Sequence, residues 1–252
     1  MDDLSLALHL ADLADEITLR HFRSEHLTTW TKPDLTPVTE ADRAVEQALR
    51  KCLAEERPDH GVLGEEFGAL GTEQARWIID PIDGTKNYLR GVPVYATLIA
   101  LERDGDQAVG VCSAPAMGRR WWATRGAGAC GDGRPLQVSQ VNDLASAFLC
   151  HGSVTGWEEH GLAEPFAALA RRCWRTRGFG DFWMHLLVAE GAADLAAEPE
   201  VSVWDLAALK LIVEEAGGRF TDLRGAARAD GGSALSTNGL LHDQVLAALG
   251  SR

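Results

Sequence analysis

A chain of 252 residues, 46% of them hydrophobic, can bury a sizeable core as one large domain or two small ones. Its 24 Lys and Arg against 37 Asp and Glu leave a net charge of −13, which argues against nucleic acid or an anionic membrane, since both partners need a basic face. The five cysteines, Cys52, Cys112, Cys130, Cys150 and Cys173, are odd in number and never in a Cys-x-x-Cys spacing. That pattern argues against a disulfide frame or zinc knuckle and predicts reduced thiols in a cytoplasm. The Met-Asp-Asp start lacks a basic region ahead of an apolar stretch, so no signal peptide is expected. No apolar run approaches about 18 residues, so no membrane span is expected either.

In chain order, Leu4, Ala7, Leu8, Ala11, Ala14 and Leu19 recur at helical spacing and predict an amphipathic helix over residues 4–21. Residues 28–38 hold Pro33 and Pro37 without an apolar period and read as a loop. Thr39 then caps a helix, with Asp42 three residues on completing a capping box, and the helix runs to about Glu56 before Pro58 stops it. Glu40 falls in its first turn, where a carboxylate is either a partner of the helix dipole or a functional group. Gly61-Val62-Leu63-Gly64 reads as a short strand that delivers Glu65 and Glu66 at its end. Adjacent acids there are a solvated turn unless they share a cation.

The stretch Trp77-Ile78-Ile79-Asp80-Pro81-Ile82-Asp83-Gly84-Thr85-Lys86-Asn87-Tyr88 is the centre of the chain. Three apolar, β-prone residues predict a strand buried on both faces, with Asp80 at its carboxyl end, where open α/β sheets bind ligands. Pro81 fixes its own φ and holds Asp80 extended, so that Asp80 and Asp83 turn toward one point with the Ile82 carbonyl between them. Two carboxylates and a carbonyl suit a hard cation such as Mg²⁺. Gly84 allows a tight turn, after which the amides of Gly84 and Thr85 open a short helix and form a cradle for phosphate. A plain Asp-Gly turn between elements is the alternative.

Residues 94–102, 108–113 and 120–124 follow as consecutive strands with Asp104-Gly105 as a hairpin turn, and Trp121 and Trp122 pack across this sheet. Gly126, Gly128, Gly131 and Gly133 read as turns and not as a nucleotide loop, because no strand and helix flank them. A second half begins near residue 145, with a strand at 146–150, helices at 164–173 and 181–191, and a strand at 193–197 ending in Glu198. Val203 opens a helix closed by Gly217-Gly218, with Asp205 in its first turn, and residues 238–249 end in one more short helix. No linker separates the halves, about 1–144 and 145–252, so one domain with a shared site is expected.

Asp-Pro-Ile-Asp-Gly-Thr-Lys-Asn-Tyr after an apolar strand resembles the first signature of the inositol monophosphatase family. Gly64-Glu65-Glu66 upstream and Val203-Trp204-Asp205-Leu206-Ala207-Ala208 through Glu215-Ala216-Gly217-Gly218 downstream match it in order, over roughly residues 4–250. Within the family, Thr31-Lys32-Pro33-Asp34-Leu35-Thr36-Pro37-Val38-Thr39 and Gly180-Asp181-Phe182 are most similar to histidinol-phosphate phosphatases of actinobacterial type. The resemblance implies an α/β fold, the layered α/β/α/β/α sandwich shared with fructose-1,6-bisphosphatase. It implies a cytoplasmic, Mg²⁺-dependent and lithium-sensitive phosphomonoesterase, commonly a homodimer, acting on L-histidinol phosphate. The rivals are inositol 1-phosphate, a sugar phosphate such as fructose 1,6-bisphosphate, or a non-catalytic interaction protein on the same scaffold.

Carried over residue by residue, the family pattern implies a first Mg²⁺ on Glu65, Asp80 and the Ile82 carbonyl, a second on Asp80, Asp83 and Asp205, and a looser third sharing Glu65. It implies that Thr85 and the carboxylate corresponding to Glu40 orient the attacking water, while the Gly84 and Thr85 amides hold the phosphate. The alcohol would meet Glu198 and Asp181, with Arg177 as the cation expected near them. Two acids facing the alcohol suit an aminated or imidazole-bearing group better than a polyol, unless Asp181 only caps the helix it precedes.

Overall fold

The structure, a computed structural model, describes residues 1–32 and 36–250. Helix α1 (Asp3–His21) begins at Asp2, whose carboxylate accepts the Ser5 N–H at 2.7 Å, and buries Leu6, Ala7, Leu10, Ala11 and Ala14. The stretch expected as a loop over 28–38 instead carries a hairpin of β1 (Thr29–Thr31) and β2 (Pro37–Thr39), with Trp30 opposite Val38. A three-residue strand exposed throughout, as β1 is, shows no period, and Pro37 sits at the first residue of β2, where proline is tolerated. Residues 33–35, Pro33 of that expected loop and the centre of the Thr31–Thr39 match among them, lie outside the described residues. Helix α2 (Glu40–Glu56) has the expected capping box: Thr39 Oγ1 accepts the Ala41 and Asp42 amides, and the Thr39 N–H donates to Asp42 Oδ2 at 2.8 Å.

The chain then builds an eight-stranded sheet from β3 (Gly61–Gly64), β4 (Gly68–Leu70), β5 (Ala75–Asp83), β6 (Ala96–Arg103), β7 (Asp106–Ala114), β8 (Arg119–Thr124), β9 (Gly128–Gly131) and β10 (Arg134–Pro135), with the short helix α3 (Thr85–Leu89) after β5. Their order is β10-β9-β8-β7-β6-β5-β3-β4, and only β3 and β5 run parallel. The glycines read as turns are so at 126 and 133, both at positive φ, whereas Gly128 opens β9 and Gly131 ends it, where a Cβ would press on the Trp121 ring.

The second half adds β11 (Phe148–His151), α4 (Val154–Glu159), α5 (Ala163–Arg172), β12 (Arg175–Arg177), α6 (Asp181–Ala189), β13 (Leu195–Glu198), α7 (Val203–Glu215), β14 (Arg219–Thr221), β15 (Ala234–Thr237) and α8 (His242–Leu249). Its five strands are ordered β12-β11-β13-β15-β14. Alternation along the strands makes the layers, because successive side chains point to opposite faces. Trp77, Ile79, Ile99, Leu101 and Val111 meet α1 and α2, while Ile78, Leu98, Ala100, Cys112 and Trp121 meet α6 and α7. Trp121 and Trp122 accordingly pack on opposite faces, as expected of a packing pair. On the second sheet Ala196 and Ala234 face α6 and α7, while Leu195, Ala197 and Leu235 face α5 and α8. The result is an α/β/α/β/α sandwich with α6 and α7 between the two sheets. A Cβ on Gly110 would fall 2.8 Å from the Ala208 carbonyl, so glycine there lets α7 lie close on β7.

Candidate active site

Strand β5 does not stop at Asp80, as expected, but continues through Pro81 to Asp83. Between Asp80, opposite Leu98, and Asp83, opposite Ala96, β5 has one residue more than β6, a β-bulge. In a regular strand residues three apart point to opposite faces; the inserted residue turns Asp80 and Asp83 to one side. Thr97 fixes the bulge by donating to the buried Pro81 carbonyl at 2.7 Å. At the start of α7, Asp205 completes a capping box with Ser202, and its carboxylate also meets the other two: single oxygens of Asp80, Asp83 and Asp205 lie within 4.8 Å of one another. One oxygen of each is tied to a backbone amide, Asp80 to Ile82 at 3.0 Å, Asp83 to Phe182 at 2.6 Å and Asp205 to Ser202 at 2.7 Å. The amides thus orient all three acids and leave each a second oxygen.

Parallel pairing of β3 with β5, Gly64 opposite Ile79, brings Glu65 beside Asp80. The turn carrying Glu65 is held by Glu46, wholly buried, which accepts the amides of Glu66 at 2.7 Å and Phe67 at 3.2 Å and pairs with Arg50 at 2.8 Å. A Cβ on Gly64 would overlap that carboxylate, so Gly64 is required where Glu46 reaches across. Lys32 bridges Glu65 at 2.7 Å and Glu66 at 2.6 Å, a cation placed against the acids by the β1–β2 hairpin.

Burial pushes the carboxyls of Asp80 and Asp83 well above the usual range, and neighbouring acids add to it: Glu65, Asp83 and Asp205 around Asp80, and Asp181 and Asp205 around Asp83. Asp205 is raised to about 6, again chiefly by burial. Among the described residues none of Asp80, Asp83 and Asp205 has an ion pair. Such a cluster needs protons or a cation, and an all-oxygen donor set with the Ile82 carbonyl close by fits a hard divalent ion.

This yields a prediction that needs no substrate. A carboxyl raised in the folded state stabilises it below the unfolded value and loses that contribution as pH rises through the folded value, about 6 for Asp42 and Asp205, with Asp80 raised in the same direction. The buried His185 and His242, lowered to about 3 and about 4 by burial, act oppositely in acid, but cancel when one pH is compared with and without cation. The rise in Tm that Mg²⁺ gives over a chelator should therefore be larger at about pH 8 than at about pH 5.5, by roughly 2–4 °C for each kcal/mol of added linkage. An equal rise at both pH values would mean the cluster is not where the ion binds.

The expected pair of Glu40 and Thr85 is not brought together. Glu40 turns outward, accepting the Thr28 N–H at 3.0 Å and standing 3.7 Å from His21 Nδ1. The carboxylate beside Thr85 is Asp42, 1% exposed, with Oδ1 at 3.4 Å from Thr85 Oγ1, which also donates to the Ile82 carbonyl at 2.9 Å. Two residues on a helix differ by about 200°, so positions 40 and 42 face opposite ways. Burial raises Asp42 to about 6. The sequence does carry the signal, an acid at the third helical position, but its capping bond to Thr39 accounted for it locally.

Gly84, at φ 82°, makes the turn into α3 as expected. Asp181 is held at φ 48°, a costly conformation for a residue with a Cβ, and does not cap α6; its Oδ2 accepts the Asn87 amide at 3.0 Å, near Gly84. It lines one cavity of about 130 Å³ with Asp83, His185, Glu198 and Asp205. Burial raises Asp181 and Glu198 as well, Glu198 further through Asp181 and Asp205. Arg177 is elsewhere: on the edge strand β12 it is exposed and donates to the Thr176 carbonyl at 2.8 Å. The cation acting on Asp181 is Lys86. His185 drew no attention in the sequence, since a histidine in an apolar helix carries no pattern, and Asn87, although inside the signature stretch, was given no role.

The profile of the inositol monophosphatase family matches residues 3–251. The histidinol-phosphatase of Mycobacterium tuberculosis is 60% identical over 254 residues, covering 98% of each chain, and that of Streptomyces coelicolor is 52% identical over 262 residues, covering 100% of this chain and 98% of the other. Among solved structures the IMPase of Thermotoga maritima matches with a TM-score of 0.90 at 29% identity, over 99% of this chain and 97% of that one. With the layered fold, the bulged acid pair and end-to-end identity in agreement, the chain belongs to the inositol monophosphatase family.

Proposed function

We propose that this protein is a Mg²⁺-dependent phosphomonoesterase that hydrolyses L-histidinol phosphate to L-histidinol and phosphate. The observation that carries the reading is the adjacency of two features: the Asp80, Asp83 and Asp205 cluster and the acid-lined cavity that Asp83 and Asp205 share with Asp181 and Glu198. The names of the two relatives sharing more than half of its residues support it. Glu65, Asp80, the Ile82 carbonyl, Asp83 and Asp205 would hold two to three ions. Bound there, Mg²⁺ supplies charge neutralisation at the phosphoryl oxygens, a more acidic water and a stabilised leaving alkoxide. Thr85 Oγ1 orients the water in line, and Asp42, ionised above about pH 6, receives its proton. The Gly84 and Thr85 amides meet the phosphate. One domain with halves 1–144 and 145–252 sharing this site belongs to the reading, supported by the bonds of Asp83 to Phe182 and of Asp181 to Asn87. So does a cytoplasmic homodimer, in keeping with the family and with five unpaired cysteines.

The test is phosphate release with Mg²⁺ from histidinol phosphate, inositol 1-phosphate, fructose 1,6-bisphosphate and adenosine 3′,5′-bisphosphate, with the highest kcat/KM expected for the first. A preference for inositol 1-phosphate would overturn the substrate. Asp181→Asn keeps a residue that tolerates the left-handed backbone while removing the charge. Its preference for histidinol phosphate over inositol 1-phosphate should fall about tenfold to a hundredfold, the worth of a hydrogen bond to a charged group. An unchanged preference would place the amine elsewhere.

A further inference from the structure

Within the cavity beside the acid cluster one polar atom has no partner. His185, on α6 one turn beyond Asp181, is 1% exposed; its Nδ1 lies 2.7 Å from Ser236 Oγ on β15, while Nε2 is buried and makes no hydrogen bond. The nearest carboxylate oxygen, Glu198 Oε2, stands 3.8 Å from Nε2, too far for a bond between them. Glu198 is fixed from its other side, where Gly152 has no Cβ and Oε1 packs against it. With Nδ1–H donating to Ser236, Nε2 presents a lone pair, and a neutral ring is what burial favours, holding His185 at about 3. Asp181, Glu198 and His185 Nε2 then line one cavity as acceptors, and the Asn87 amide is the one donor among their described bonds, taking Asp181 Oδ2 and leaving Oδ1. Three acceptors around a small space match a group with three N–H donors, a primary ammonium. A polyol would bring donors and acceptors in equal number.

We propose that His185 is a specificity-determining residue, whose Nε2 accepts a hydrogen bond from an ammonium group on the carbon next to the phosphate-bearing one, completing with Glu198 and Asp181 a three-acceptor seat for a 2-amino alkyl phosphate. The seat adjoins Asp83 and Asp205, so an ammonium in it lies two carbons from an ester oxygen held at the acid cluster. Ser236 is a positioning residue that sets the ring's tautomer. This rests on the phosphatase reading above and goes further, since it assigns the amine and not the imidazole of the substrate to this cavity.

A matched pair of substrates isolates the amine: histidinol phosphate and 3-(imidazol-4-yl)propyl phosphate, which differ only by it. His185→Asn keeps an atom near Nδ1 and removes Nε2; the ratio of kcat/KM for the pair should fall on the order of tenfold or more relative to wild type. His185→Gln, which returns an amide near Nε2, should restore part of the ratio. Independently of any variant's folding, the His185 Nε2 resonance of ¹⁵N-labelled wild-type holoenzyme should move on adding histidinol with phosphate and stay put with the deamino alcohol. An unchanged ratio in a cooperatively melting His185→Asn, or a resonance unmoved by histidinol, overturns the role of His185 while leaving the phosphatase reading intact. If wild type itself shows no preference within the pair, the amine seat falls. If it releases phosphate from neither substrate, the phosphatase reading falls with it.

Discussion

Asp80→Asn is expected to lower kcat on the order of 10³-fold or more, because it removes the one charge that neighbours Glu65, Asp83 and Asp205 at once. The substitution is isosteric, and an asparagine oxygen can still accept the Ile82 N–H that Asp80 accepts at 3.0 Å. The bulge and its buried bond from Thr97 to the Pro81 carbonyl do not involve the lost charge. Fold and function therefore respond in opposite directions. In a chelator the variant should melt no lower than wild type, since burial and three acids already disfavour an ionised Asp80. With Mg²⁺ it should lose most of the stabilisation that wild type gains. Near-normal turnover in Asp80→Asn would sink the assignment of the cluster as the metal centre, and a large drop in melting temperature in chelator would show that the charge serves the fold.

The second large effect separates two acids that stand two residues apart. Asp42→Asn and Thr85→Ala should each lower kcat roughly 10²-fold or more with little change in KM, as expected when groups position and deprotonate a water without holding the substrate. Because both would act on one water, the double variant should cost less than the product of the two losses. Glu40→Gln should stay within a few-fold of wild type, its carboxylate being spent on the Thr28 amide. Asp42 also caps α2 through Thr39, so its variant carries a stability cost of about 1 kcal/mol, which thermal melting reads separately. Comparable damage from Glu40→Gln and Asp42→Asn would restore Glu40 as the water's partner; strictly multiplicative losses for Asp42 and Thr85 would mean that they do not share one.

What the sequence by itself determined is what neighbouring residues decide among themselves. The continuous apolar run Trp77-Ile78-Ile79 and the three strands after it, the Thr39–Asp42 capping box, the Gly217-Gly218 helix stop and the left-handed Gly84 all follow from local sterics and from the need to bury apolar side chains. The family motifs placed Asp80, Asp83 and Asp205 in one site, because their order and spacing along the chain carry that information. Short elements escaped: β1, β12 and β14 are three residues each, and β15 is Ala-Leu-Ser-Thr buried throughout, so none shows a period. Only the tertiary structure decided which acids converge and which diverge. The bulge that turns Asp83 to the side of Asp80 exists against β6, and the phase that buries Asp42 and leaves Glu40 half-buried on the other side is set by packing of α2 on the sheet. Asp83 reaches Phe182 across 99 residues of sequence, and His185 meets Ser236 across 51. A side chain's rotation into a shared cavity depends on elements distant in the chain, and no local pattern encodes it.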